Sequence, residues 1–258
     1  MIKACFIILL LVATCACTNN TTFVRSAPNY SGSLVKARIA LLLPPDIEVN
    51  QIDALNKKTR VYNYEDRIEE IMVDTFITTM HDKGYNIKLL SRPEIGINKL
   101  SHYAVDTKDE FKDIAKILYA GGAWSEDKAY SIDYKIPAAV EFGKKMGGDL
   151  LIVMNFYSEN KTSAAITKDL TTDILKGALF AVATGRTTTT NTEPAEFSIV
   201  RLAILDASNG QILWAHSVSI SNDIISTTTD SFSDANKVDK KKLLALINSA
   251  LIDLPSAN

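Results

Sequence analysis

Runs of apolar residues with a period of two or of about 3.6 divide most of the chain into strands and helices. The longest run, residues 197–220, reads FSIVRLAILDASNGQILWAHSVSI and predicts two strands joined by a tight turn at 206–210. The first arm, 197–205, is apolar on nearly both faces, which is typical of a central strand covered on two sides. In the second arm the large residues share one parity and therefore one predicted face: Ile212, Trp214, Val218 and Ile220.

The turn between the two arms leaves two conformations open. Asn209 and Gly210 together can supply two residues at positive φ, as a two-residue hairpin turn requires. Alternatively, Gly210 alone closes a type I turn with a bulge.

The other periodic segments are short strands and amphipathic helices. Further strands are predicted at residues 37–43, 86–90 and 149–157. Helices are predicted at residues 64–83, 107–118, 138–146, 163–184 and 240–254. Thr107 and Glu110 fit a capping box at the start of the second helix. This order of elements predicts an α/β layered sandwich with a mixed sheet flanked by amphipathic helices.

Several segments lack a clear period. Residues 18–34 are small and polar and predict a flexible tether. Residues 46–63 predict a loop, which is either a partner surface or a plain excursion, and residues 125–135 fit no element. Residues 177–183, GALFAVA, are apolar all round, which fits either a core helix or contact with lipid or a neighbouring subunit.

Composition narrows the class of protein. The chain has 258 residues, enough for one ordinary domain with appendages, and 47% of them are hydrophobic. A net charge of −2 gives no basic excess, so we expect no nucleic-acid partner. The cysteines are Cys5, Cys15 and Cys17, so residues 18–258 can hold no disulfide, thiol nucleophile or cysteine metal site.

The N-terminus has the pattern of a secretory signal. A basic start at residues 1–3 precedes nine apolar residues, 4–12, which are too few to span a bilayer about 30 Å thick. Small residues then lead to a cysteine, which resembles the lipobox of bacterial lipoproteins. Cys17, directly after an alanine, is the predicted lipidated residue; Cys15 is the alternative, and a plain signal peptide with incidental cysteines is a third interpretation.

The lipobox resemblance implies a domain plan and a location. Residues 1–16 would be the signal peptide, 17–35 the lipidated cysteine with its tether, and 36–258 a single α/β domain. The cysteine would carry three acyl chains, palmitate among them, which anchor a protein in a membrane almost permanently. Thr18, rather than an aspartate, follows the cysteine, which implies sorting to the outer membrane of a Gram-negative-type envelope with the domain in the periplasm.

No residue pattern indicates catalysis. His81 ends a predicted helix, His102 lies in a predicted polar loop, and His216, with the parity of Trp214, should be packed or edge-facing; no two stand at a metal-ligand spacing. The chain has no nucleophile-elbow or phosphate-binding motif. The adjacent carboxylates at 65–66, 69–70 and 109–110 are interpreted as solvated charge on helix faces. We therefore expect a protein that is not an enzyme and uses no cofactor or metal.

Three motifs resemble one group of envelope lipoproteins. They are residues 37–43 before a proline, Gly148-Asp149 before an apolar strand, and 205–214, LDASNGQILW. Together they resemble the CsgG, LpoB and PelC group, whose fold is that of the TolB N-terminal domain. Residues 42–46, LLPPD, are similar to the start of uncharacterised bacterial lipoproteins. The chain departs from the group where Pro44-Pro45-Asp46 replaces the usual Pro-Phe and Asn209 replaces the usual Thr.

The resemblance implies function by binding and assembly, with no catalytic residues to transfer. We expect a lipid-anchored accessory factor for other envelope proteins, with self-association as one form of partnership. The alternative is a periplasm-facing small-ligand binder or hydrolase that uses the loops around 46–63 and 125–135.

Overall fold

The computed structural model describes most of the predicted domain. The described residues are 21–27, 30, 38–118, 134–162, 164–165, 167–169, 196–221, 224–225 and 238–257. The strands are β1 (Thr21–Ser26), β2 (Ile39–Leu42), β3 (Asp46–Ile52), β4 (Lys58–Arg60), β5 (Asn86–Leu89), β6 (Leu150–Lys161), β7 (Glu196–Asp206) and β8 (Ile212–Ile220). The helices are α1 (Glu65–Asp82), α2 (Arg92–Ile97), α3 (Ser101–Leu118), α4 (Pro137–Met146) and α5 (Lys240–Leu251).

All these strands form one mixed sheet in the order β1-β8-β7-β6-β2-β5. β1, β8, β7 and β6 pair antiparallel, whereas β2 runs parallel to both β6 and β5. β3 continues beside β6 beyond the end of β2, and β4 pairs with its outer edge. The expected mixed sheet is therefore confirmed.

Each face of the sheet is covered by its own helices. Alternate residues of β6 enter two separate cores, with Ile152 on one face and Val153 on the other. The first core contains the buried sides of α1 and α5, and the second contains those of α2, α3 and α4. The layered α/β sandwich predicted from the sequence is the observed architecture.

Two prolines divide one line of pairing into β2 and β3. Leu42 is opposite Ile152 of β6, and Asp46 is opposite Asn155. Three residues therefore lie between these pairs on one strand and two on the other, which is a one-residue bulge. Proline has no N–H for the ladder, so pairing stops at the Pro44-Pro45 step and resumes at Asp46.

The prediction of a loop over 46–63 is therefore wrong. β3 and β4 form a hairpin there, followed by a 3-10 turn at Tyr62–Tyr64. β3 does carry a short strand signal, because the apolar Ile47 and Val49 alternate with the polar Asp46, Glu48 and Asn50.

The β7–β8 hairpin is present as predicted, but one face assignment is wrong. Ile204 pairs with Trp214 while Leu205 pairs with Ile212, so Leu213 is an extra residue in β8. This bulge reverses the side-chain alternation. Ile212 consequently joins the second core, whereas Trp214, Val218 and Ile220 lie in the first.

Gly210 decides between the two turn conformations. It has φ of 74°, and it is the only residue of the 206–210 turn with positive φ. Its N–H donates to the carbonyl of Asp206 over 2.8 Å, and Asn209 keeps an ordinary backbone conformation. The observed turn is thus the one that needs glycine at a single position.

The flexible tether predicted over 18–34 is wrong for the residues of β1. Thr21–Ser26 pair antiparallel with β8 from Ser219 to Trp214. Farther along, the Tyr30 hydroxyl lies 2.9 Å from that of Tyr85, next to the C-terminal end of the domain. A backbone-paired edge strand needs little apolar periodicity, so the polar composition of this stretch concealed it.

α3 begins earlier than the predicted helix at 107–118. Thr107 is not its cap: the residue is buried in the second turn and its hydroxyl donates to the Tyr103 carbonyl over 2.7 Å. His102, predicted in a loop, lies in the first turn of α3. The short helix α2 was not predicted; Ser91 caps it by accepting a hydrogen bond from the Glu94 N–H.

The remaining described helices match their predictions within a few residues. α1 and α5 bury the expected stripes, and α4 begins at Pro137 and ends before Gly147 in a left-handed conformation. Of the predicted helix at 163–184, residues 164–165 and 167–169 are described and helical. The predictions on residues 1–16, 177–183 and 125–133 lie outside the described residues.

Arg38, Asp149 and Asp206 join three strands at one end of the sheet. The Arg38 guanidinium donates over 3.0 Å both to the Asp149 carbonyl and to Asp206 Oδ2, and Asp149 Oδ2 accepts from the Ile39 N–H over 2.8 Å. Burial would raise the pKa of Asp206, but hydrogen bonds from Ser208 and Arg38 outweigh it and lower that pKa. The motif aspartates therefore hold the ends of β2, β6 and β7 together.

Gly210→Ala should destabilise the fold by about 1–3 kcal/mol, because an L-residue is strained at positive φ. A Cβ at this position would also lie 2.4 Å from the Ile136 carbonyl oxygen. Urea denaturation measures the loss. Gly96→Ala is the matched control, since a Cβ there meets nothing within 4 Å, and equal stability of the two variants would contradict the argument.

Asp206→Ala should cost about 1–3 kcal/mol of unfolding free energy, because it leaves the half-buried Arg38 without its carboxylate and the Ser208 N–H without its acceptor. Asp113→Ala is the control: it breaks the Lys116 pair, whose side chains are 75% and 73% exposed, and should change stability by less than about 0.5 kcal/mol. The same urea titration compares them, and a larger loss in the control would refute the assigned role of Asp206.

Candidate functional site

β2 is the point in the sheet at which the chain changes the side on which it adds strands. From β2 the chain crosses through α1 to β5 on one side, and from β5 it passes through α2, α3 and α4 to β6 on the other. α1 covers one face of the sheet, and α2, α3 and α4 cover the opposite face. In open α/β sheets a crevice forms at the carboxyl end of such a strand and commonly binds ligands. Here that position is Pro44.

A groove of about 500 Å³ lies at this switch point. One wall is the exposed side of α1, and the opposite wall is the segment from Leu89 to Pro93, with Pro44 between them. We call it the switch-point groove. Its polar wall carries four carboxylates from α1: Asp66, Glu69, Glu70 and Asp74.

Among the described residues that line the groove, Arg92 alone has a guanidinium, and this group is already bound. It donates to both oxygens of Glu69, over 2.8 Å and 2.7 Å, a bidentate pair that fixes the start of α2 against α1. The hydrogen bond to Glu69 raises the pKa of Arg92. Glu70 also forms an ion pair with Arg67 of the same helix. The four carboxylates on the wall thus have two arginine partners, and the wall keeps a net negative charge.

A second polar cluster lies beyond the proline step. Asp46 forms an ion pair with Lys112 of α3 and accepts a hydrogen bond of 3.4 Å from the Asn155 side chain. Lys108, one turn earlier on α3, is half-buried near the same carboxylate. Burial lowers the pKa of Lys108, and the attraction of Asp46 opposes that effect. This cluster holds α3 over the bulge between β2 and β3.

The sheet carries a third cluster toward the carboxyl end of β6. The Lys58 ammonium donates to Tyr157 and, over 2.6 Å, to Glu159, while the Tyr157 hydroxyl donates to the same carboxylate. Burial raises the pKa of Tyr157 to about 12, with the Glu159 hydrogen bond adding to it. The tyrosine therefore stays protonated, and the cluster ties β4 to β6.

The groove combines charged and apolar lining residues. A negative wall beside the apolar side chains of Val73, Leu90 and Pro44 suits a ligand that combines a cationic or hydrogen-bond-donating group with an apolar part. No group of three or more metal-ligating side chains stands together in the part of the chain that the structure describes. No helix among those residues is long and apolar enough to cross a bilayer.

The predicted site residues fall in different places. Cys17 and Cys15 lie outside the described residues, as do 177–183 and most of 125–135. The 46–63 segment contains Asp46, which lies in the second polar cluster with Lys112, and the β3–β4 hairpin. Sequence reasoning missed the groove itself; the signal was an apolar strand ending at Pro44-Pro45, but its meaning depends on strand order.

The carboxylate pairs are more engaged than predicted. Glu65 binds Arg60 through both oxygens, over 2.8 Å and 3.0 Å, and Glu69 binds Arg92. These two residues are half-buried rather than simply solvated. For Glu110, burial and the nearby Asp106 raise the pKa.

The three histidines lie on different elements. His81 is exposed in the last turn of α1, as predicted, and His102 is exposed on α3. His216 is fully buried, with Nδ1 2.6 Å from the Ala250 carbonyl oxygen and its ring edge-on to Trp214. It is a packed core residue, one of the two placements expected from its parity.

Comparison with known proteins gives slight structural likenesses only. No protein-family model matches the chain, and no curated protein sequence matches it. A PelC dodecamer structure from Paraburkholderia phytofirmans is similar with a TM-score of 0.37 and 10% identity, over 93% of this chain and 99% of that one. The LpoB C-terminal domain from Salmonella enterica has a TM-score of 0.28 and 10% identity, over 76% and 88%. Likeness of this degree transfers no function or residue role to this chain.

His216 should make stability depend on pH below neutrality. Burial lowers its pKa, while the Ala250 carbonyl and Asp253 oppose that effect. The unfolded chain therefore binds the proton first, and stability falls as pH drops below the ordinary histidine value of about 6.5, by at most about 1.4 kcal/mol per pH unit.

Urea unfolding between pH 7.5 and 5.5 measures this slope. His216→Leu should flatten it, whereas the exposed His81→Gln should leave it unchanged. A wild-type slope that survives in His216→Leu would show that another group is responsible.

Proposed function

We propose that this chain is a lipid-anchored protein of a bacterial cell envelope that acts by binding, as an assembly or accessory factor for other envelope proteins. Cys17 would carry the acyl chains in the outer membrane, and the α/β domain would work in the periplasm. The observation that supports the anchor most directly is the order of residues 1–17: a basic start, a short apolar core, small residues and a cysteine.

The start of the fold is compatible with this anchor. β1 begins at Thr21, so three residues separate the predicted lipidated cysteine from the first strand, and Thr21 is the fourth residue after Cys17. Four extended residues reach at most about 14 Å. The domain would therefore stand close to the membrane surface rather than on a long tether, and partners would approach it there.

A binding role is supported by how the charged groups are used. In each of the three clusters a carboxylate is paired with a basic side chain: Glu69 with Arg92, Asp46 with Lys112, and Glu159 with Lys58. Such pairs fix the shape of a surface, which favours recognition over proton transfer.

The switch-point groove favours a second candidate, a small-ligand binder. Its position at the carboxyl end of β2 and its volume of about 500 Å³ suit a small molecule with a cationic group. In this alternative the partner is a periplasmic solute rather than a protein.

Cys17→Ser should abolish incorporation of labelled palmitate and move the protein from the membrane to the soluble fraction, because the acylated thiol is lost. Cys15→Ser is the matched control and should keep both properties. Crosslinking in intact cells, followed by mass spectrometry, should capture envelope proteins with the wild type and lose them with Cys17→Ser.

The reverse result, with loss only in Cys15→Ser, would move the anchor to Cys15. Membrane attachment that survives both substitutions would contradict the anchor. Capture of nothing beyond the chain itself would favour self-association or the small-ligand candidate.

A further inference from the structure

We propose that the tip of the β3–β4 hairpin, residues 53–57, is a membrane-contact site that places Leu55 in the interface of an anionic lipid surface. This inference rests on the proposed function, because it uses the anchor at Cys17 to bring the domain to the membrane. It goes beyond it by assigning a second contact and thereby an orientation.

The tip is a rigid structure that presents an apolar side chain. Asp53 Oδ1 accepts hydrogen bonds from the N–H groups of Leu55 and Lys57, over 2.8 Å and 2.9 Å, and Asn56 turns the chain at φ of 60°. Leu55 is left 84% exposed, the most exposed large apolar residue in the described part of the chain. An ordered loop loses little conformational freedom when it enters an interface.

The exposed charged side chains around the tip are those of lysines. The carboxylate of Asp53 is occupied with the backbone of the tip, whereas the side chain of Lys57 is exposed. Lys168 reaches the tip from another segment, and its ammonium donates to the Ala54 carbonyl over 2.7 Å. An exposed leucine between two lysines combines shallow apolar insertion with attraction to anionic headgroups.

The sheet register places this tip at the same end as the anchor. Thr21 of β1 pairs with Ser219 of β8. The same row of paired residues crosses the sheet through Ile199 and Tyr157 to Glu48 of β3. Ile52, the last residue of β3 before the tip, lies four residues beyond Glu48. The four residues from Thr21 back to Cys17 can cover the same distance, about 13 Å.

The twist of the sheet does not place the anchor and the hairpin tip at opposite ends of the sheet. Four strand-to-strand steps lie between β1 and β3, and a twist of about 20–25° per step rotates these edges by roughly 90° in total. Each edge then leans about 45° from the central strands, so both still project beyond the same end of the sheet. The anchor and the tip become two points on one membrane-facing side, about 19 Å apart across the strands.

The test uses the full chain, acylated in cells, purified and reconstituted into vesicles of phosphatidylethanolamine and phosphatidylglycerol. Leu55→Cys is labelled with an environment-sensitive dye and quenched with spin-labelled lipid. Residues 18–258 contain no cysteine, so the labelled site is defined, and the unsubstituted chain is the blank.

Ile252→Cys is the matched control. Ile252 is also apolar and 72% exposed, but it is next to the C-terminal segment that hydrogen-bonds Lys83 just before β5 begins, at the opposite end of the sheet. The dye at Leu55 should be blue-shifted and quenched at least about twofold more than the dye at Ile252. Lys57→Glu, or vesicles of neutral phosphatidylcholine, should reduce that difference.

Three results would overturn the inference, and they differ from one another. If the chain floats with the vesicles but both dyes stay in water, Leu55 is a solvent-exposed leucine only and the proposed function is unaffected. If both dyes are quenched equally, the domain lies flat instead of end-on. If the chain does not float, the anchor itself fails, and the orientation argument fails with it.

Discussion

The pairing of β6 with β7 is the interaction on which the rest of the structure depends. β7 pairs with β6 along all 11 of its residues, from Leu150–Asp206 at one end to Asn160–Glu196 at the other. Residues 150–154 of β6 and 202–205 of β7 are covered on both faces of the sheet, so each strand supplies apolar side chains to two cores. Neither core can form without the other, because they share these two backbones.

The Pro44-Pro45 step determines what the parallel side of the sheet can do. Without the bulge, β2 and β3 would form one continuous strand beside β6, and its side chains would alternate without a break. With it, β2 ends at a crevice between α1 and α2, while β3 resumes pairing and carries its polar face toward α3. The same two residues thus create the switch-point groove and start the hairpin that projects beyond it.

Elements with a strong local signal were predictable from the sequence. The β7–β8 hairpin, α1, α4 and α5 combine an apolar period with a turn, proline or glycine that marks their ends. β1, β3 and β4 were not. β1 and β3 pair with β8 and β6, which are far away in the sequence, and β4 is only three residues long and pairs with β3 alone. The reversed side of Ile212 depends on a bulge, which no side-chain pattern reveals. The groove depends on strand order, so no single stretch of the sequence reveals it.

The pairing of β1 also sets a limit on when the domain can be completed. Its partner in β8, from Trp214 to Ser219, lies near the other end of the chain. β1 is made first, but it has no strand to pair with until almost the whole chain has been synthesised. The closing of this edge is therefore a late event in folding.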